Sequence, residues 1–244
     1  MSTVSGEQGA HLTGAARADY VRQLFGRIVP RYDLFNTIST FGRDAAWRRL
    51  VVRLATPPAG GRVLDVATGT GGVAFALADR YPDAQIEGLD FTEAMIEAAN
   101  ARAAANPHPN LRFALGDVLA LPYPDASFDA VTVSFGVRNF ADIPRGLAET
   151  RRVLKPGGRL VCLELTHAQS PLIRAGFNLY FFRISPLIGT LLSGDRDAYS
   201  YLPHSLTTFP DAPTLARLML DAGLREVRYR LLNLGTIAIH TGIR

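Results

Sequence analysis

From residue 62 onward, short apolar runs alternate with longer stretches in which apolar residues return every three or four positions. This pattern predicts strand 62–66, helix 72–80, strand 84–89, helix 92–104, strand 112–115, strand 129–134, helix 141–153 and strand 158–165. The strands read as continuous apolar runs, which marks burial on both faces. Together with the strand–helix alternation, they predict an α/β fold: a doubly wound, mostly parallel sheet with helices on both sides. Further on, a helix at 211–222 ends at Gly223, and strands near 225–232 and 235–242 meet at Asn233-Leu234-Gly235. This closing hairpin would bring the sheet to seven strands with an antiparallel edge. Upstream, residues 14–55 read as helical, with helical spacing over 17–25 and 45–54, after a start expected to be disordered. Pro57-Pro58-Ala59-Gly60-Gly61 closes that segment.

Residues 170–192 break the rhythm. They are long and apolar, but Arg174, Asn178, Arg183 and Pro186 interrupt them at intervals too short to span a bilayer. An amphipathic helical cap, inserted near 170–210, fits better. Its aromatic stripe leaves two destinations open, the domain core or a substrate or membrane surface.

With 244 residues, 48% of them hydrophobic, and no Ser/Pro/Gly-rich linker, the chain reads as one domain over 1–244. A helical cap at about 14–55 would precede a core at about 60–244. A net charge of +4 from scattered arginines leaves no nucleic-acid footprint and suits a face toward anionic lipid. The one cysteine, Cys162, excludes an internal disulfide and reads as core packing, and the five histidines lack metal-ligand spacing, so no metal site is expected. Residues 1–20 do not resemble a signal peptide, so a cytoplasmic protein is expected, with peripheral contact at the inner membrane face admitted. Homo-oligomerisation is left open.

The chemistry begins at Val63-Leu64-Asp65-Val66-Ala67-Thr68-Gly69-Thr70-Gly71-Gly72, a strand running into a glycine turn and a helix N-terminus, which is where nucleotide cofactors dock. Gly69, Gly71 and Ala74 meet the loose G-x-G-x-x-G/A spacing, so a nicotinamide dinucleotide stays in play. Asp65 argues against it. A carboxylate there repels a pyrophosphate and attracts the ammonium and sulfonium of S-adenosyl-L-methionine. Asp90, at the end of the second strand, suits the ribose hydroxyls of either cofactor. Asp117 ends the third strand and would face the adenine amino group, with the Val118 N–H on a ring nitrogen; alternatively Asp117 only caps the next turn. Three acidic strand ends together select adenosylmethionine. Ser134 ends the fourth strand and completes a cofactor set of Asp65, Gly69, Thr70, Gly71, Asp90, Asp117, Val118 and Ser134. The loop Phe135–Phe140 beyond it should face the methyl donor.

Asp65-Val-Ala-Thr-Gly-Thr-Gly, Asp90, Leu121-Pro-Tyr-Pro-Asp125, Phe128-Asp129 and Arg152-Val-Leu-Lys-Pro-Gly-Gly resemble the class I adenosylmethionine-dependent methyltransferases, which implies a Rossmann-like core. Tyr32-Asp33-Leu34-Phe35-Asn36-Thr37-Ile38-Ser39, Trp47-Arg48, Ser134-Phe-Gly-Val-Arg138-Asn139 and Glu164-Leu-Thr resemble, more narrowly, the menaquinone/ubiquinone C-methyltransferase family, over roughly residues 20–244. Two departures stand out: Gly72 where the family has an acidic residue, and Asp44 or Ala45 where it has a histidine before the tryptophan.

The resemblance implies methyl transfer to a ring carbon of a polyprenylated quinol, with demethylmenaquinol first and the ubiquinone benzoquinol precursor second. Methyl transfer needs positioning, and loss of the hydroxyl proton makes the ring carbon nucleophilic. Arg138 and Asn139 would hold the hydroxyl or its oxyanion. Tyr32 or Asp33 over the pocket would help to remove the proton, unless they mark a simple helix boundary, and His167 is a weaker candidate. A methyltransferase for another small molecule, an oxidoreductase and a cofactor-binding module without turnover are the competing readings. The first of these gives no reason for Tyr32-Asp33 and Arg138-Asn139 to occur together.

Overall fold

The computed structural model describes residues 5–244, and the first of these already form a helix, α1 (Gly6–Ala10), where disorder was expected. The reason is local and long-range at once. Ser5 and Gln8 make a capping box, with each side chain bonded to the other's backbone N–H. Gly6 lets α1 lie so close to a later helix that a methyl group there would collide with the Asp197 carbonyl.

The expected helical region resolves into α2 (Gly14–Ser39), which carries Pro30 inside it, and α3 (Asp44–Ala55). The corner between them turns through positive φ at Phe41 and Gly42. The alternating core follows as β1 (Arg62–Val66), α4 (Gly72–Arg80), β2 (Gln85–Asp90), α5 (Glu93–Ala105), β3 (Leu111–Leu115), β4 (Phe128–Ser134), α6 (Ile143–Val153) and β5 (Leu154–Leu165). Strand β5 starts four residues earlier than the pattern predicts, because Leu154 already pairs with Phe128 before the register shifts. The cap is α7 (Pro171–Leu179), one π-helical turn (Tyr180–Ile184), α8 (Ser185–Ser193) and α9 (Arg196–Thr207); α10 (Ala212–Asp221), β6 (Arg225–Leu232) and β7 (Ile237–Ile243) finish the chain.

The seven strands lie in the order β3-β2-β1-β4-β5-β7-β6. The first five are parallel, and β7 is antiparallel to both β5 and β6. The hairpin expected at the edge is therefore folded back: its second strand enters beside β5 and its first becomes the edge. Apolar β7, with Ile237, Ala238 and Ile239 buried, takes the covered place, and charged β6 takes the exposed one.

One face of the sheet packs on α3 and α4 through Val51, Val52, Phe75 and Leu77, and the other on α6 and α10 through Leu147, Val153, Leu215 and Met219. A third cluster joins α2 to α9 and to Met95 of α5, and seats the N-terminal helix over the carboxyl edge of the strands. Strand order reverses between β1 and β4, so their loops diverge and leave a crevice at that edge. Helix α7 buries none of its residues and touches the core through half-buried Phe177, so its part of 170–192 is a cap resting on the core. Among the described residues, no helix is long and apolar enough to cross a membrane.

Candidate active site

The turn after β1 is held by carboxylates. Register places Asp65 opposite Thr132 on β4, whose hydroxyl donates to it at 2.6 Å; Thr68 donates to its other oxygen at 2.7 Å. Asp90 accepts from the Gly69 N–H and from the Thr92 N–H, each at 2.9 Å, and so ties the glycine turn to the end of β2. Gly71 caps α4 at φ 84°, a left-handed conformation that disfavours a Cβ, and its α-carbon lies against Phe113. Thr70 donates its hydroxyl to both carboxylate oxygens of Asp33 at 2.8 and 3.0 Å, fastening α2 to the turn. Tyr32 and Asp33 lie inside α2, well before its end at Ser39, so they do not mark a helix boundary.

Two cavities meet at this turn. A narrow one runs along the ends of β1, β2 and β3 and is lined by Gly69, Asp90, Asp117, Val118, Ser134 and Asn139, with Tyr32 from α2 above. Its donors and acceptors suit an adenosine carrying an amino acid. Asp90 keeps lone pairs free beside its two N–H partners, Val118 opens a one-turn helix and has no acceptor within it for its N–H, and the buried Ser134 hydroxyl lacks a partner among the described residues. Asp117 does cap that turn, accepting from the Leu119 N–H at 2.9 Å, while lining the cavity. Five of the eight cofactor residues drawn from the sequence line this cavity. Thr70 and Asp65 line the larger one, and Gly71 lies behind the turn against Phe113.

The larger cavity, of about 490 Å3, starts from the same turn and is walled by Tyr32, Asp33, Asp44, Trp47, Arg48 and Arg138. It reaches the surface at Phe41 and Leu234, both more than three-quarters exposed. Arg138 is buried and bonded to Glu164 at 2.5 Å and to the Phe135 carbonyl at 2.8 Å, with Nε unpartnered among the described residues. Arg17 of α2 donates to the Arg138 carbonyl at 2.6 Å. The structure separates the pair Arg138-Asn139: Arg138 turns to the large cavity, and Asn139 to the narrow one, where its Oδ1 accepts from the Tyr201 hydroxyl. His167 is bonded to the Phe209 carbonyl at 2.9 Å and lines neither cavity. Glu164 was missed as a functional group, although a carboxylate in the otherwise apolar run Leu160–Leu165 already signalled a buried charge with a distant partner.

Burial sets the electrostatics. It raises Asp65 to about 6 despite the two hydroxyls that oppose the shift, and it raises Asp90 against two N–H donors. The Tyr32 phenol is also raised by burial, with Arg138 partly offsetting it. Tyr32 is therefore a hydrogen-bond donor at neutral pH and not a base, which leaves Asp33, one of the carboxylates lining the cavity, as the candidate proton acceptor. The two sequence departures meet at one guanidinium: Arg48 pairs with Asp44 and also lies against Gly72, where a methyl group would meet its Nη1 at 2.7 Å.

A family model described as the ubiE/COQ5 methyltransferase family matches residues 13–244. The demethylmenaquinone methyltransferase of Deinococcus radiodurans is 49% identical over 222 residues, 91% of each chain. The ubiquinone/menaquinone biosynthesis C-methyltransferase UbiE of Paracoccus denitrificans is 40% identical over 227 residues, 93% of this chain and 91% of its own. Among solved structures, a SAM dependent methyltransferase from Aquifex aeolicus superposes with a TM-score of 0.59 at 18% identity, covering 80% of this chain and 88% of that one, a likeness of fold.

Proposed function

The chain belongs to the ubiE/COQ5 methyltransferase family and is an S-adenosylmethionine-dependent methyltransferase, and from this premise we propose that it methylates a ring carbon of demethylmenaquinol. The observation that carries this reading is the pair of cavities sharing one glycine turn, one suited to adenosine and the other large, apolar-walled and open to the surface. The greater similarity to the relative named for demethylmenaquinone supports the naphthoquinol over the benzoquinol.

Adenosylmethionine, when bound, supplies an electrophilic methyl group. Asp90 would take the ribose hydroxyls, Asp117 and the Val118 N–H the adenine edge, and Ser134 and the Gly69–Gly71 turn the methionine part. Asp65 would supply negative charge beneath that turn. In the large cavity, Tyr32 donates toward an acceptor oxygen and the Arg138 guanidinium stabilises the oxyanion. Asp33, freed from Thr70 or through a water, takes the hydroxyl proton. Asn139 positions from the cofactor side. The Arg138–Glu164 pair holds the guanidinium in place, so Arg138 needs no reorganisation as charge develops.

The polyprenyl tail would leave the cavity past Phe41 and Leu234 and lie along α7 and α8, whose exposed Leu172, Leu179, Leu187 and Leu191 would rest on the membrane. This favours a cytoplasmic protein bound peripherally to lipid.

The test is methyl transfer from labelled adenosylmethionine to reduced demethylmenaquinone beside the ubiquinone precursor. Labelled menaquinone in excess is expected. Preference for the benzoquinol would reassign the substrate, and transfer to neither would remove quinones as acceptors.

A further inference from the structure

Arg48 is the one large-cavity arginine whose function the reading above leaves open. Arg138, held by Glu164 and a carbonyl, is assigned to the oxyanion, and Arg43 reaches to Asn233 at 3.0 Å. Arg48 bonds through a single nitrogen, Nη2, to Asp44; among the described residues its Nη1 and Nε have no partner, and the side chain stays about one-third exposed within the cavity wall. Guanidinium donors left open on an apolar-walled cavity are sites for an acceptor oxygen.

The pair is built before any ligand arrives. Asp44 stands in the first turn of α3, where negative charge is favoured, and Arg48 follows one turn later on the same face. The Thr40 hydroxyl, itself bonded to the Asn36 carbonyl at 2.7 Å, lies 3.3 Å from both the Asp44 carboxylate and its N–H. Only the missing side chain at Gly72 leaves room for the guanidinium beside the turn.

The placement complements Arg138. Arg48 comes from α3, which packs with α4 over β4 and β5 on one face of the sheet; Arg138 follows β4 in a turn that contacts α9 and, on the other face, α6. A ring lying in the cavity between them presents one oxygen to each wall if its two oxygens are para to one another.

We propose that Arg48, held by Asp44, binds the acceptor oxygen para to the one activated at Arg138, and so fixes which ring carbon faces the methyl donor. This rests on the reading of the large cavity as a quinol site. Asp44 is a positioning residue that acts through Arg48.

The experiment measures binding of 1,4-naphthalenediol and 1-naphthol, under anaerobic conditions, to the protein loaded with adenosylhomocysteine. The wild type is expected to bind the diol about tenfold or more tightly than the mono-ol, the range of a hydrogen bond to a charged group. Arg48→Met should bring the two to equal affinity with adenosylhomocysteine affinity unchanged, and Arg48→Lys should keep part of the preference. Asp44→Ala should weaken the preference. A preference that survives intact in Arg48→Met overturns the inference, as does a wild type that binds both rings equally. A wild type that binds neither ring removes the quinol reading itself, and this inference with it.

Discussion

Asp65 joins the cofactor turn to the sheet, and its chemistry is set by burial. Its carboxyl, at about 6, lies above the ordinary carboxylate value of about 3.9. The folded state thus holds this proton more tightly than the unfolded chain does. The resulting stabilisation is complete below about pH 4 and lost as pH rises through about 6. Binding runs the other way, because an ammonium above the turn favours the ionised form. Adenosylhomocysteine affinity, measured by calorimetry from pH 5 to 7.5, should rise across the window around 6, and Asp65→Asn should flatten the profile. A profile of the same slope in Asp65→Asn would show that the titrating group is another one. The Asp65, Asp90 and Asp117 positions could be read in the sequence because each lies at or just past the carboxyl end of a strand that the apolar pattern delimits. Glu164 could not be given its role, since its partner Arg138 lies 26 residues away and only the β4–β5 register brings them together. Likewise, nothing local in the sequence assigns Arg138 and Asn139, adjacent in the chain, to different cavities.

At the scale of elements, the site depends on two turns passing within a methyl group of each other. After β4, Gly136 crosses the turn that follows β1, and a Cβ on it would meet the Cβ of Ala67 at 2.5 Å. Neither atom belongs to a flexible side chain, so the two turns must part. Gly136→Ala should cost about 1–3 kcal/mol, typical of overpacking, and should weaken adenosylhomocysteine binding because Ala67 and Gly136 both line the narrow cavity. Thermal melting with calorimetry would read both effects, and an alanine variant with wild-type values would show that the turns yield freely. The strands and helices of the core were foreseeable because continuous apolar runs and three-to-four-residue periodicity leave little choice of element. Helix α1 carried its own local signal, the Ser5–Gln8 capping box, but its packing on α9 depends on contacts almost the whole chain away. The place of β7 inside β6 also escaped the pattern, because a hairpin's pairing does not say which of its strands meets the rest of the sheet.

For the whole molecule, exposed apolar side chains collect on the cap helices and at the cavity mouth, where the proposed membrane contact would lie. Leu172, Leu179, Leu187 and Leu191 on α7 and α8 are all more than 60% exposed, and Phe41 and Leu234 at the cavity mouth are 79% and 77% exposed. Residues 171–193 contain Arg174 and Arg183 and no acidic side chain, so the apolar helices carry positive charge, in keeping with the net charge of +4. Such a face gains from both acyl chains and anionic headgroups. Flotation with vesicles should therefore carry the protein upward when anionic lipid is included, and less so at high salt. Replacing the four leucines by serine should abolish flotation at little cost in stability, because exposed side chains contribute little to the fold. If the mouth faces the membrane to collect a tailed substrate, the same variant should raise KM for a polyprenylated acceptor while a tail-less ring is methylated as before. A wild type that stays at the bottom of the gradient with anionic lipid, or a serine variant that floats equally well, would separate the exposed leucines from any membrane role and leave the tail to be bound within the protein.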